Sequence, residues 1–172
     1  YRSSDGDVRA MLRAIFESKE FWSRDSYRAK FKTPMEFMVS ALRAVNAEVE
    51  DPRQLHSSLE SMGQPIYHCD DPTGWSDTSE AWLDPGVMAL RWQFALDLAA
   101  GRIRGTSIPA YYWETVPSGL PVRLWQHHLT KAILPGGVSE RTRAALSSVT
   151  DSYLAKARNP DIAQLGPTLV GL

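Results

Sequence analysis

Residues 68–71 read His-Cys-Asp-Asp, and four potential ligands in a row are the first place to look for chemistry. Each of His68, Cys69, Asp70 and Asp71 can bind a metal, and His56 lies upstream. Adjacent side chains diverge, however, whereas zinc and similar ions need spacings that let ligands converge. Cys69 is the only cysteine, and the chain has no His-x-x-x-His pair. His127 and His128 are neighbours, about 100° apart on a helix, and make poor joint ligands. The sequence therefore supports neither a metal site nor a cofactor.

Carboxylates make a stronger case. Asp70, Asp71, Asp77 and Glu80 surround Trp75, and Glu114 stands in a second aromatic stretch. Two carboxylates with separated pKa values can hydrolyse a glycosidic bond by acid–base catalysis. Plainer duties compete with this. Asp77 and Glu80 suit a helix cap and its capping box, and Asp70 and Asp71 suit turns. Nucleophiles are weaker still. Ser118 and the pair Thr106-Ser107 lack a Gly-x-Ser-x-Gly elbow, and Cys69 beside His68 is no catalytic pair. Neither Pro135-Gly136-Gly137 nor Gly101-Arg102-Ile103-Arg104-Gly105 matches a phosphate-binding fingerprint. No catalytic residue can be named.

Aromatic residues mark the same regions. Trp75, Trp82, Tyr111, Tyr112 and Trp113 lie in or beside two stretches without helical periodicity. Together with Asp70 and Asp71 they form the candidate set for a ligand or partner, since aromatics beside carboxylates can receive a sugar or a peptide. The competing account is that they pin long loops onto helices, because large aromatics are mostly buried.

The elements that must position these residues are helices. Ser4 or Asp5 can cap a first helix over about 7–18, with Val8, Met11, Leu12, Ile15 and Phe16 on one stripe. Thr33-Pro34-Met35-Glu36 is a capping-box start, followed by Met38, Leu42 and Val45 on one face. Asp51-Pro52 opens a third helix carrying Leu55 and Leu59 and ending near Met62, with Gly63 as a left-handed terminator. Residues 63–77 break the pattern and read as an ordered loop anchored by Tyr67 and Trp75. Asp84-Pro85 opens the longest apolar helix, about 85–100. Val87, Leu90, Phe94 and Leu98 lie on one side of it, and Met88, Trp92 and Ala95 on another. A helix apolar over so much of its circumference is expected to be central, and its Arg91 needs a partner or an exit to water. A second long connection spans 102–120. Pro121 opens a helix through Ile133, Ser139 caps one to about Arg158, and a last helix begins near Asp161 or Pro167. No strand alternation competes with this reading. The expected fold is all-α, a compact array of about six or seven helices with two long ordered loops, over residues 1–172 as one helical domain.

Composition agrees. The 172 residues carry 19 Lys and Arg against 20 Asp and Glu, a net charge of -1. Neither half is strongly basic, which argues against nucleic acid or an anionic membrane surface as the main partner. No apolar run is long enough to span a bilayer, so no transmembrane segment is expected.

Several local runs carry a family resemblance. They are Met11-Leu12-Arg13-Ala14-Ile15-Phe16 with Glu20-Phe21-Trp22, Lys32-Thr33-Pro34-Met35-Glu36-Phe37 with Ser40-Ala41-Leu42-Arg43-Ala44, Gly63-Gln64-Pro65-Ile66-Tyr67, Pro72-Thr73-Gly74-Trp75, Ala81-Trp82-Leu83 and Arg91-Trp92-Gln93-Phe94-Ala95. Together they resemble the C-terminal portion of the bacterial domain of unknown function 1800 family. Gln93 departs from the pattern, which often has Asn there. The resemblance implies a longer polypeptide, exported to the periplasm or cell surface, and brings no established activity. The expected function is a non-catalytic interaction or assembly module of an exported bacterial protein. Its partner would be the missing N-terminal part of its own chain or an envelope protein. The alternative is a hydrolase of envelope glycans or peptides using loop carboxylates. A small-ligand receptor would need an apolar pocket lined by Trp92, Trp113 or Trp125.

Overall fold

A computed structural model describes residues 2–27, 29–76, 78–117, 119–157 and 161–171. Among them stand eight α-helices: α1 (Val8–Phe16), α2 (Pro34–Ala44), α3 (Arg53–Ser61), α4 (Pro85–Ala99), α5 (Ala110–Glu114), α6 (Val122–Ile133), α7 (Glu140–Leu154) and α8 (Ile162–Gly171). The fold is all-α, with a two-residue antiparallel ladder joining β1 (Glu48–Val49) to β2 (Thr106–Ser107).

Helix ends follow local chemistry. Asp7, rather than Ser4 or Asp5, caps α1 by accepting from the Arg9 and Ala10 amides. Thr33 and Glu36 close a full capping box on α2. Asp84 accepts from Gly86 and Val87 at the head of α4, where Pro85 loses no bond by lacking an N–H. Ser139 caps α7, which ends at Leu154, earlier than its sequence pattern suggests. Gly63 and Gly101 take positive φ just past α3 and α4 and let the chain turn. Of the two expected starts for the last helix, Asp161 is the right one: its Oδ1 accepts from the Ala163 amide, and Pro167 lies inside α8.

Two differences from expectation share a cause. The 102–120 connection contains α5, and the 48–49 segment pairs with 106–107. Five residues are too few to show a helical period, and two are too few to show alternation. The ladder is fixed instead by a turn, in which the Gly105 carbonyl accepts from both the Glu50 and Asp51 amides at 2.9 and 3.1 Å.

Two clusters form the core. Met38, Val45, Leu55, Leu59, Met62, Phe94, Leu98, Ile103 and Tyr112 join α2 to α5. Trp125, Leu129, Leu146, Leu165 and Leu169 join α6, α7 and α8. Val170 packs against both. The central place expected for α4 is found, since it packs against α2, α3 and α8. Its apolar circumference is not all covered, and Trp92 is 66% exposed.

Candidate functional site

The first aromatic loop is built from its start at α3. Gly63 reverses the chain, which places the buried Gln64 beneath the start of α2. Its Oε1 accepts from the Met35 amide at 2.7 Å, so a side chain from the α3 exit satisfies one of the free amides of α2. Beyond Pro65 the loop turns outward. Tyr67, expected as an anchor, is 99% exposed with φ +62, because the backbone turn there points its ring into solvent.

The ligand-bearing residues are occupied locally. His68 Nδ1 lies 3.0 Å from the Ile66 carbonyl, and the Cys69 thiol faces the Asp71 carbonyl. Asp71 Oδ1 accepts from the Thr73 hydroxyl at 2.7 Å and from its amide at 2.8 Å, a side-chain turn. Those bonds, the hydroxyl's first, hold its carboxyl below the usual range. Glu80 is also held low, by its own amide and the Thr78 and Ser79 hydroxyls. Asp70 is exposed. Asp77 lies outside the described residues. Among the described residues no three His, Cys, Asp or Glu side chains are grouped to hold a metal ion.

Trp75 and Trp82 do come together, with ring centres 6.2 Å apart. Trp82 is buried, and its indole N–H donates to the Ser76 carbonyl at 2.9 Å, while Trp75 is half-buried beside it. The pair folds the loop back onto itself.

The second set divides by depth. Tyr111 is exposed, Tyr112 is buried in the first core cluster, and Trp113 is half-buried with its ring edge-on to Tyr112 at 5.3 Å. Burial raises the Tyr112 phenol pKa. Trp113 lies against Gly166 of α8, where an added Cβ would sit 2.8 Å from its ring. Ser118 is outside the described residues.

An apolar cleft lies elsewhere. It has a volume of about 310 Å³ and opens between α2, α4, the end of α6 and the end of α8. Ala41, Val45, Ala95, Leu98, Ile133 and Val170 supply apolar walls, and the exposed Trp92 stands on its rim. Of the three tryptophans a receptor pocket would need, Trp92 lines this cleft and Trp125 belongs to the second core cluster. Lys32 and Ser40 are at the cleft too, with the ammonium donating to the hydroxyl at 2.9 Å.

Arg91 sits next to this region and is only 4% exposed. Its Nη1 donates to the Lys32 carbonyl at 2.8 Å, and its guanidinium lies 4.8 Å from the Phe31 ring centre and 5.4 Å from that of Phe37. Nε and Nη2 have no hydrogen-bond partner. Burial depresses its pKa. The sequence signal for this place was an arginine on an otherwise apolar helix. What the sequence did not carry was the approach of Phe31, Phe37 and the Lys32 carbonyl to it.

The α1 surface is the other feature of note. Val8, Leu12, Ile15 and Phe16 are all exposed, and α1 buries none of its residues. Past its end, Phe16, Phe21 and Trp22 stack edge-on with ring centres 5.1 and 5.3 Å apart, and the Trp22 indole donates to the Phe16 carbonyl.

Comparison with known proteins bears on identity. The model of the family described as "Protein of unknown function (DUF1800)" matches residues 1–169, and the chain belongs to that family. No curated protein and no solved structure matches it. No described helix is long and apolar enough to cross a membrane.

Proposed function

We propose that this member of the family is a non-catalytic interaction or assembly module of a longer exported bacterial protein, working in the periplasm or at the cell surface. The observation that carries the reading is the apolar stripe of α1. A nine-residue helix of this amphipathicity gains its stability from packing its apolar face, not from propensity. Here Val8, Leu12, Ile15 and Phe16 face solvent, continued by Phe21 and by Trp22, which is 74% exposed. Contiguous apolar surface of this kind marks an interaction site. Burying four such side chains is worth several kcal/mol, at about 1.5–3 kcal/mol each. The occupant we propose is the N-terminal part of the same, longer polypeptide.

The hydrolase alternative asks more of the loop carboxylates than they offer. A general acid needs a pKa raised toward the working pH, and both Asp71 and Glu80 are held below theirs.

Hydrogen exchange compared between the full-length gene product and residues 1–172 tests the proposal. The α1 amides should be protected at least tenfold more in the longer protein, and Trp22 emission should shift to the blue. Equal exchange over residues 8–16 in both would sink the reading. Concentration-dependent dimerisation of the short chain with α1 protected would point instead to a second copy as occupant and sink the same-chain part of it.

A further inference from the structure

We propose that the cleft between α2, α4, α6 and α8 is a binding site for a small apolar monocarboxylate, with its hydrocarbon body in the cleft and its carboxylate at Lys32. This site is separate from the α1 face and does not depend on the docking proposal.

Two observations carry it. The first is the make-up of the cleft. Its walls are aliphatic and aromatic, and among the described residues lining it Lys32 is the one with a charge. The Lys32 ammonium has a single hydroxyl partner, Ser40, and forms no ion pair among the described residues. An apolar pocket with few placed polar groups is the usual form of a small-molecule site. The volume of about 310 Å³ holds roughly ten water-sized groups at about 30 Å³ each, which suits a medium-length chain.

The second observation is the unpartnered Arg91. A buried guanidinium normally has its donors paired, because an unpaired buried charge is costly. Here two of its nitrogens have no partner, and the cation lies against the Phe37 ring that also walls the cleft. The Lys32 backbone is tied to it directly through the Lys32 carbonyl. Lys32 lines one end of the cleft and Arg91 lies behind its Phe37 wall, and two cations there without a salt-bridged carboxylate favour a negative headgroup, in competition with Glu36, whose carboxyl the Lys32 charge already helps to lower. Ser40 adds a hydroxyl that can donate to that headgroup once Lys32 turns toward the ligand.

Titration of the chain with decanoate below its micelle concentration, read by tryptophan emission and by amide shifts in nitrogen-15 spectra, tests this. Saturable binding is expected, with the shifts concentrated at residues 41–45, 92–99, 133–134 and 170–171. Decan-1-ol should bind at least tenfold more weakly, and decylammonium more weakly still. Lys32→Gln should weaken decanoate at least fivefold and leave decan-1-ol unchanged, and because Lys32 is exposed the variant should fold. Absent binding, equal binding of acid and alcohol, or shifts elsewhere on the surface would each overturn the proposal.

Discussion

Gln64 and Gly105 show how single residues join segments far apart in sequence. Gln64 Oε1 accepts from the Met35 amide, 29 residues earlier, in a buried setting. Removing the acceptor leaves that amide short of a partner, at a cost of about 1–3 kcal/mol. Gln64→Ala should therefore lose that much in urea unfolding, whereas Gln54→Ala on the exposed face of α3 should lose little. At Gly105 the demand is steric. Its φ is +74, and an added Cβ would lie 2.5 Å from Asp51 Cβ and 2.7 Å from the Asp51 carbonyl oxygen. Gly105→Ala adds backbone strain of order 1–3 kcal/mol to a clash that flexible side chains cannot relieve. A drop in Tm no larger than that of an exposed-loop Gly→Ala control, such as Gly119→Ala, would show that the turn before β2 relaxes freely. The turn role of Asp71 was legible in the sequence because its partner, Thr73, is two residues away. The role of Gln64 was not, because its partner is on another helix.

Whole elements were legible wherever their signals are local. Thr33 with Glu36, Asp84 with Pro85, Ser139 and Gly63 each mark an end through bonds spanning a few residues, and the helices begin or stop there. Burial is a different matter, since it depends on what packs against a face. α1 and α3 make the contrast. Each has an apolar stripe, yet α1 buries nothing and α3 buries Leu55 and Leu59. Periodicity predicts both stripes equally and cannot say which is covered. The same limit applies to Trp92, whose apolar surroundings on α4 suggested a core position. Leu59→Ala in α3 should cost about 2–5 kcal/mol, as large-to-small changes in a packed core do. Leu12→Ser in α1 should change the stability of residues 1–172 by less than about 0.5 kcal/mol. A large loss for Leu12→Ser in chemical denaturation would mean that α1 is held against the body of this chain.

At the scale of the whole molecule, α8 joins the two core clusters and depends on close approach to α4. A Cβ added at Gly171 would lie 2.9 Å from the Leu96 Cα and 3.2 Å from the Ala95 carbonyl oxygen, so backbone as well as the Leu96 side chain would have to move. Gly171→Ala should separate the helices locally and lower Tm, with new hydrogen exchange at residues 95–99. Unchanged exchange there would show that the α8 end is not seated on α4. This packing was invisible in the sequence, where the small residues of α8 carried no mark of the helix they meet.

Acid stability follows from carboxylates spread over the molecule. Glu36, Asp51, Asp71 and Asp97 are all held below their ordinary pKa: Glu36 first by Lys30, Asp51 by Arg53, Asp71 by Thr73 and Asp97 by Gln93. A carboxyl with a depressed folded pKa binds fewer protons folded than unfolded. Its contribution is complete above the unfolded value of about 4 and is lost as pH falls through the folded value. The share of stability these carboxylates contribute should hold from neutral pH down to about 5 and decline below about 4. Asp97 is the test case because its partners lie on both sides of the α4 end. Gln93 donates to its two oxygens at 2.9 and 3.0 Å, and Arg102 donates at 2.7 Å from the turn beyond. Gln93→Leu removes the largest cause of the depression, so the Asp97 pKa should rise toward its ordinary value. The variant should be less stable than the parent at pH 7, and the gap should narrow as pH falls below about 4, where the parent loses what the variant already lacks. Urea unfolding of both proteins from pH 7 to pH 2.5 measures that gap, and a gap constant over the whole range would show that Gln93 acts through packing alone.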